Sequence, residues 1–281
     1  MCAVRTHTVS FSNDLFRPSE KPFRRPKQSC KAGFDAIMQS KSIRPNKKGK
    51  TYMKDIFLNE LITFIVDNST KLNPTIFKKK IRFGNEKEKY SEIEFEYSNN
   101  FNGFSLSLSS YNKEICNFST QKVGNAFLES MEGLPKSYQN LVFTQSSISS
   151  SHYYNAFPIV THDHDYGIIH LEDDDTIFSD ILRNLENNHF KFIQEIEIMS
   201  PNVLDYIVRF PSCFSKKSLV IFFVIEKNKL SIQNEKVKAL FDYDRMVLEN
   251  KNKLFSPFDL IFGRNKLDQM IKKKILGTSL E

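Results

Sequence analysis

The chain has 281 residues, 40% hydrophobic and 26% charged, the proportions of a globular protein of one or two domains. Its 9 glycines are few for a fold that cradles phosphate on backbone amides, and its longest apolar run, Leu219–Ile225, falls far short of the roughly twenty residues a membrane span needs. The net charge of +7 sits wholly in residues 1–52, where 12 of the 40 Lys and Arg meet 3 of the 33 acids, leaving 28 basic against 30 acidic residues in 53–281.

Residues 1–52 carry Pro18, Pro22, Pro26 and Pro45 with many Ser and Lys and little apolar periodicity. Such a segment cannot bury enough apolar surface to offset chain entropy. It is expected to be a disordered basic arm, with a short helix around Phe34–Met38 as its one structured candidate. Its run Lys21–Lys27 suits phosphate contact, although a solvated tail needs no such role. An organelle-targeting or secretion segment fits the same composition. Met53, at the composition boundary, is a candidate natural start.

The body opens with a helix over 53–67, which puts Phe57, Leu58, Leu61, Ile62, Ile65 and Val66 on one stripe. Strand-like alternation follows in three runs: Ile81 and Phe83 around Arg82, then Ile93, Phe95 and Tyr97, then Phe104, Leu106 and Leu108 among serines. Residues 99–103 read as the hairpin loop between the last two. The acids Glu92, Glu94 and Glu96 fall on the wet face of their strand, where their repulsion asks for a basic partner strand or protein. Ile115–Phe118 is a further strand candidate, and 122–132 a short helix. Thr144–Ser151 is the most linker-like stretch.

Strands are expected at Tyr153–Val160 and Gly167–Leu171. A helix capped by Asp175 should then run to about Asn187 with Ile177, Phe178, Ile181, Leu182 and Leu185 inward. Phe190–Ile198 alternates and reads as a strand. Ser200 and Pro201 signal a helix through Val203, Leu204, Ile207 and Val208. Leu219–Ile225 reads as a strand covered on both faces. Asn234 caps a helix to about Asn250. Ser256-Pro257 opens a last helix with Leu260, Ile261, Leu267, Met270 and Ile271 apolar, ending at Lys272–Lys274.

The expected fold class is therefore α+β: antiparallel strands with helices packed on one face, preceded by the disordered basic arm. The expected domains are an arm at 1–52 and a globular body at 53–281, with 53–143 and 152–281 as an alternative subdivision.

Chemistry is concentrated in Thr161–Asp175, which holds His162, His164 and His170 among five Asp and one Glu. Imidazoles and carboxylates are ligands for divalent metals. His162 and His164 lie two apart, on one face of a strand. His170, after Gly167, can return to that face, with Asp165 as a further ligand. The segment His162-Asp163-His164 resembles the first half of the His-x-His-x-Asp-His motif of metallo-β-lactamase-type hydrolases. Tyr166-Gly167 stand where that motif has Asp-His, and His189 is the one histidine left downstream. The amidohydrolase-type His-x-His meets the same shortage, so neither family is assigned. The plainer reading is a polar turn followed by an acidic helix start, satisfied by cap and dipole.

Cys2, Cys30, Cys116 and Cys213 show no CxxC-like spacing. A disulfide scaffold or zinc ribbon is not expected, and a reducing, cytoplasmic compartment is. Cys116 and Cys213 read as small buried hydrophobes; Cys213, in Pro211-Ser212-Cys213-Phe214, lacks a Gly-rich elbow for a nucleophile.

Three functional expectations follow. The first is a non-catalytic protein-interaction module of adaptor, chaperone, immunity or effector type, needing no cofactor and pairing through a sheet edge or helix face. The second is a metal-dependent hydrolase on His162, His164 and His170. The third is nucleic-acid contact through the arm alone. Enzymatic activity stays open between them.

Overall fold

The computed structural model describes residues 47–84, 88–146, 167–170, 176–249 and 260–277. All belong to the unit Lys47–Glu281. The expectations placed on residues 1–46 of the arm, on Tyr153–Val160, on His162, His164 and Asp165, and on Ser256-Pro257 lie outside the described residues, whereas residues 47–52 of the expected arm belong to the first helix.

The first element is the helix α1 (Lys47–Asn68). Phe57, Leu58, Leu61, Ile62 and Ile65 are buried along it and Val66 packs against the core, as the 3.6-residue period requires. A 3-10 turn at Thr70–Leu72 leads to the strands β1 (Thr75–Phe77), β2 (Lys80–Phe83), β3 (Lys89–Ser98) and β4 (Gly103–Asn112). Then come the helices α2 (Lys113–Val123), α3 (Asn125–Met131) and α4 (Lys136–Asn140), and the strands β5 (Leu141–Ser146) and β6 (Ile169–His170).

The sheet runs β1-β2-β3-β4-β5, with β6 also paired to β4, and every pairing is antiparallel. In the β3–β4 register Ile93 meets Leu108 and Phe95 meets Leu106. These four side chains are almost wholly buried, while Glu94 and Glu96, on the opposite face, are exposed. Helices therefore cover one face of an antiparallel sheet. This is the α+β arrangement expected from period-2 alternation.

The second half is helical: α5 (Thr176–Asn184), a π-helical segment Leu185–His189, α6 (Phe190–Ile198), α7 (Val203–Arg209), α8 (Lys217–Asn228), α9 (Glu235–Glu249) and α10 (Lys266–Leu276). One core joins it to the sheet. Phe192 of α6 lies 4.4 Å from Phe143 of β5 between ring centroids, and Phe57 of α1 stacks on Phe104 of β4 at 6.1 Å. None of the described helices is long and apolar enough to cross a membrane.

Four expectations are corrected. Ile115–Phe118 is helical, because the Asn112 side chain accepts from the Glu114 amide and starts α2. Phe190–Ile198 is the helix α6: its alternation is partial, and Phe192, Ile193 and Ile196 form the inward stripe. Leu219–Ile225 is the centre of α8, buried on every side from Ser218 to Ile225. Periodicity cannot separate a buried helix from a buried strand. The last helix starts at Lys266 under an Asn265 cap, leaving Leu260 and Ile261 in the segment before it. In addition, Thr144, Gln145 and Ser146 of the linker-like stretch belong to β5.

Candidate functional site

The open face of the sheet is built by the residues that alternate away from the core. β2 contributes Lys80 and Arg82, and the register sets them opposite Glu94 and Glu92 of β3. The Lys80 amine lies 3.1 Å from Glu92 Oε1 and 2.9 Å from Glu94 Oε2; Arg82 Nη2 lies 3.4 Å from Glu92 Oε2. The glutamate ladder therefore finds its basic partner strand inside the chain. Glu92, only 5% exposed, holds two cations and Glu94 one, and Glu96 makes no ion pair among the described residues. Burial works against the Lys80 ammonium. Its hydrogen bonds to Glu94 and Glu92, with their charges, outweigh that and hold its pKa above the ordinary value.

Aromatic rings flank this network. The Arg82 guanidinium lies 3.9 Å from the Tyr90 ring centroid and 4.8 Å from that of Phe77, and Tyr90 stacks on Tyr111 at 4.9 Å. Phe77, Arg82, Tyr90 and Tyr111 thus form a band across β1 to β4, worth about 0.5–1 kcal/mol per exposed cation–π contact. Burial pushes the phenols of Tyr90 and Tyr111 up, with the Glu92 charge adding to it. Hydroxyls continue the surface onto β5, where Ser109 and Thr144 pair at 3.1 Å.

β1 ends the sheet at one side among the described residues. It is three residues long and all three are exposed, Ile76 at 50% and Phe77 at 49%. Lys78 and Lys79 form the two-residue turn to β2, with Phe77 paired to Lys80 and Thr75 to Arg82. Antiparallel alternation then turns the Ile76 N–H and C=O away from β2, to the side where no described strand pairs with β1. Ile76 lies on the same face as Ile81, and Phe77 reaches the charged face. Backbone groups and two apolar side chains are thus offered together at one edge. A sequence reading finds β2 and β3 easily, but a three-residue strand carries too little alternation to be noticed.

The metal-ligand candidates are not brought together by what is described. His170 lies on β6 opposite Gly103, half-buried, and His162, His164 and Asp165 are outside the described residues. Among the described residues no group of three His, Cys, Asp or Glu could hold a metal ion. His189 is fully buried in the π-helical segment, with Nδ1 3.2 Å from the Asn184 carbonyl, which is a core position.

Both described cysteines are free and half-buried. Burial pushes the Cys213 thiol up to about 11, against a hydrogen bond with Ser212, so it is no activated nucleophile. The Cys116 thiol, also raised by burial, donates to the Gln139 carbonyl at 2.7 Å. It lines an open cleft of about 980 Å³ with Lys113, Thr120, Phe127 and Gln139. Lys216 reaches the same carbonyl at 2.6 Å and that of Tyr138 at 2.9 Å. Burial lowers its pKa, and its bonds tie the end of α4 to the segment before α8.

Comparison with models of protein families, with curated proteins and with solved structures returned no match. The functional reading rests on the surface itself.

Proposed function

We propose that the chain is a non-catalytic protein-interaction module, and that it engages its partner by adding an extended segment to the β1 edge. The observation that carries this is the edge: an outward N–H and C=O at Ile76, with Ile76 and Phe77 half exposed on opposite faces. Strand addition draws affinity from main-chain hydrogen bonds and specificity from alternate side chains, and this edge offers both. The free thiols Cys116 and Cys213 support a reducing, intracellular setting for it.

The test is selection from a displayed library of random peptides on the full-length chain. Selected peptides should be rich in β-branched and aromatic residues. Their binding should fall at least about tenfold with Ile76→Pro, which deletes the outward donor at a position where edge strands tolerate proline. The melting temperature of that variant serves as the folding control. Selected peptides indifferent to Ile76→Pro would overturn the reading.

A further inference from the structure

We infer that the segment received at β1 is acidic: an extended stretch of another protein whose apolar or β-branched centre is flanked by Asp or Glu. This rests on the strand-addition reading above and names the partner's chemistry.

The charge around the edge is one-sided. From Asp67 to Arg82 the sequence holds one acid, Asp67, against Lys71, Lys78, Lys79, Lys80 and Arg82. Lys80 and Arg82 are committed to Glu92 and Glu94. Lys71, Lys78 and Lys79 are exposed and make no ion pair among the described residues. They bracket β1, one before it and two at its turn. An added strand centred on Ile76 would therefore run between cations at both ends, and acidic flanks would meet them. Opposed charges of this kind raise the encounter rate and exclude like-charged partners.

The same lysines select against a second copy of this chain. Antiparallel pairing of two β1 strands about Ile76 would carry Lys78 and Lys79 of each copy towards Lys71 of the other. Parallel pairing would set Lys78 beside Lys78. Short, lysine-bearing edges deter self-association in this way. An acidic segment escapes that penalty.

Lys78 also has a backbone φ of 52°, the left-handed region that glycine occupies at no steric cost. Lys78→Gly thus removes a charge without straining the turn, which makes the charge testable apart from the fold.

The experiment is fluorescence anisotropy of the full-length chain with three labelled peptides of about eight residues. They share a Val-Thr-Val-Thr centre and carry paired Glu, Ser or Lys flanks. The Glu-flanked peptide should bind at least about tenfold tighter than the Lys-flanked one, and its affinity should fall steeply between about 50 and about 500 mM salt. Lys78→Gly combined with Lys79→Ser should cut that preference below about threefold at an unchanged melting temperature. Equal binding of all three peptides, lost together with Ile76→Pro, would overturn the acidic partner and leave the edge standing. Failure of all three would overturn both. Self-association in sedimentation that Ile76→Pro abolishes would overturn it in favour of a second copy.

Discussion

The Asp244 carboxylate of α9 accepts from the Ile261 amide at 2.6 Å and from the next amide, Phe262, at 3.0 Å. Asp244 is 3% exposed and both amides are buried. One side chain thus satisfies two donors in a segment with no regular partner and lays Ile261 and Phe262 into the core. Asp244→Ala should cost about 2–4 kcal/mol in urea unfolding, since each orphaned buried donor costs about 1–3 kcal/mol. Asp244→Asn, which keeps one acceptor oxygen, should cost less.

The same group predicts a pH dependence. Burial holds the Asp244 carboxyl above its ordinary 3.8, against the two amides and the Lys272 and Lys217 charges. A carboxyl whose folded pKa is raised contributes stability that is complete below the unfolded value and is lost as pH rises through the folded one. The stability of the wild type relative to Asp244→Asn should therefore fall as pH is raised upward from about 3.8, then level off. Paired urea titrations across that window read it directly; a difference that grows with pH would contradict the burial account.

The glutamates of β3 should rank by their partners. Glu92→Gln leaves Arg82 without its carboxylate and Lys80 with Glu94 alone, and should cost about 1 kcal/mol, the upper end for pairs that reach solvent. Glu94→Gln, at a half-exposed side chain with one partner, should cost less than about 0.5 kcal/mol, and Glu96→Gln nothing measurable. Chemical denaturation of the three variants in low salt would give the order.

Cys213 should resist thiol reagents in the folded protein. With its pKa at about 11, its thiolate fraction at neutral pH is very small, and thiolate is the reactive form. Mass mapping after brief alkylation should find Cys213 unmodified in buffer and modified in urea. Cys213→Ser should leave peptide binding at β1 unchanged.

Ile221 lies at the centre of α8 and is fully buried. Ile221→Ala should cost about 2–5 kcal/mol through lost burial and the cavity left behind. Slow amide exchange throughout 219–225, insensitive to changes at the β1 edge, would accompany the helical assignment.

The strands β2, β3 and β4 and the helices α1, α7 and α9 were legible in the sequence, because each has one wet face that imposes a period. Ile93 and Phe95 alternate with Glu92, Glu94 and Glu96; Leu61, Ile62 and Ile65 recur at helical spacing. The basic partner that the glutamates called for was legible as a need, and tertiary pairing supplied it as Lys80 and Arg82. Elements enclosed by protein lack that signal. From Ser218 to Ile225 no residue faces water, so nothing in the order of residues separates helix from strand. Likewise the place of β1 at the edge of the described sheet is not written in Thr75-Ile76-Phe77, three residues that would read the same at the centre of a sheet. Local periodicity records where a segment meets solvent. Which buried segment coils, and which strand is left without a neighbour, depends on the packing of residues far apart in the chain, and that only the folded structure decides.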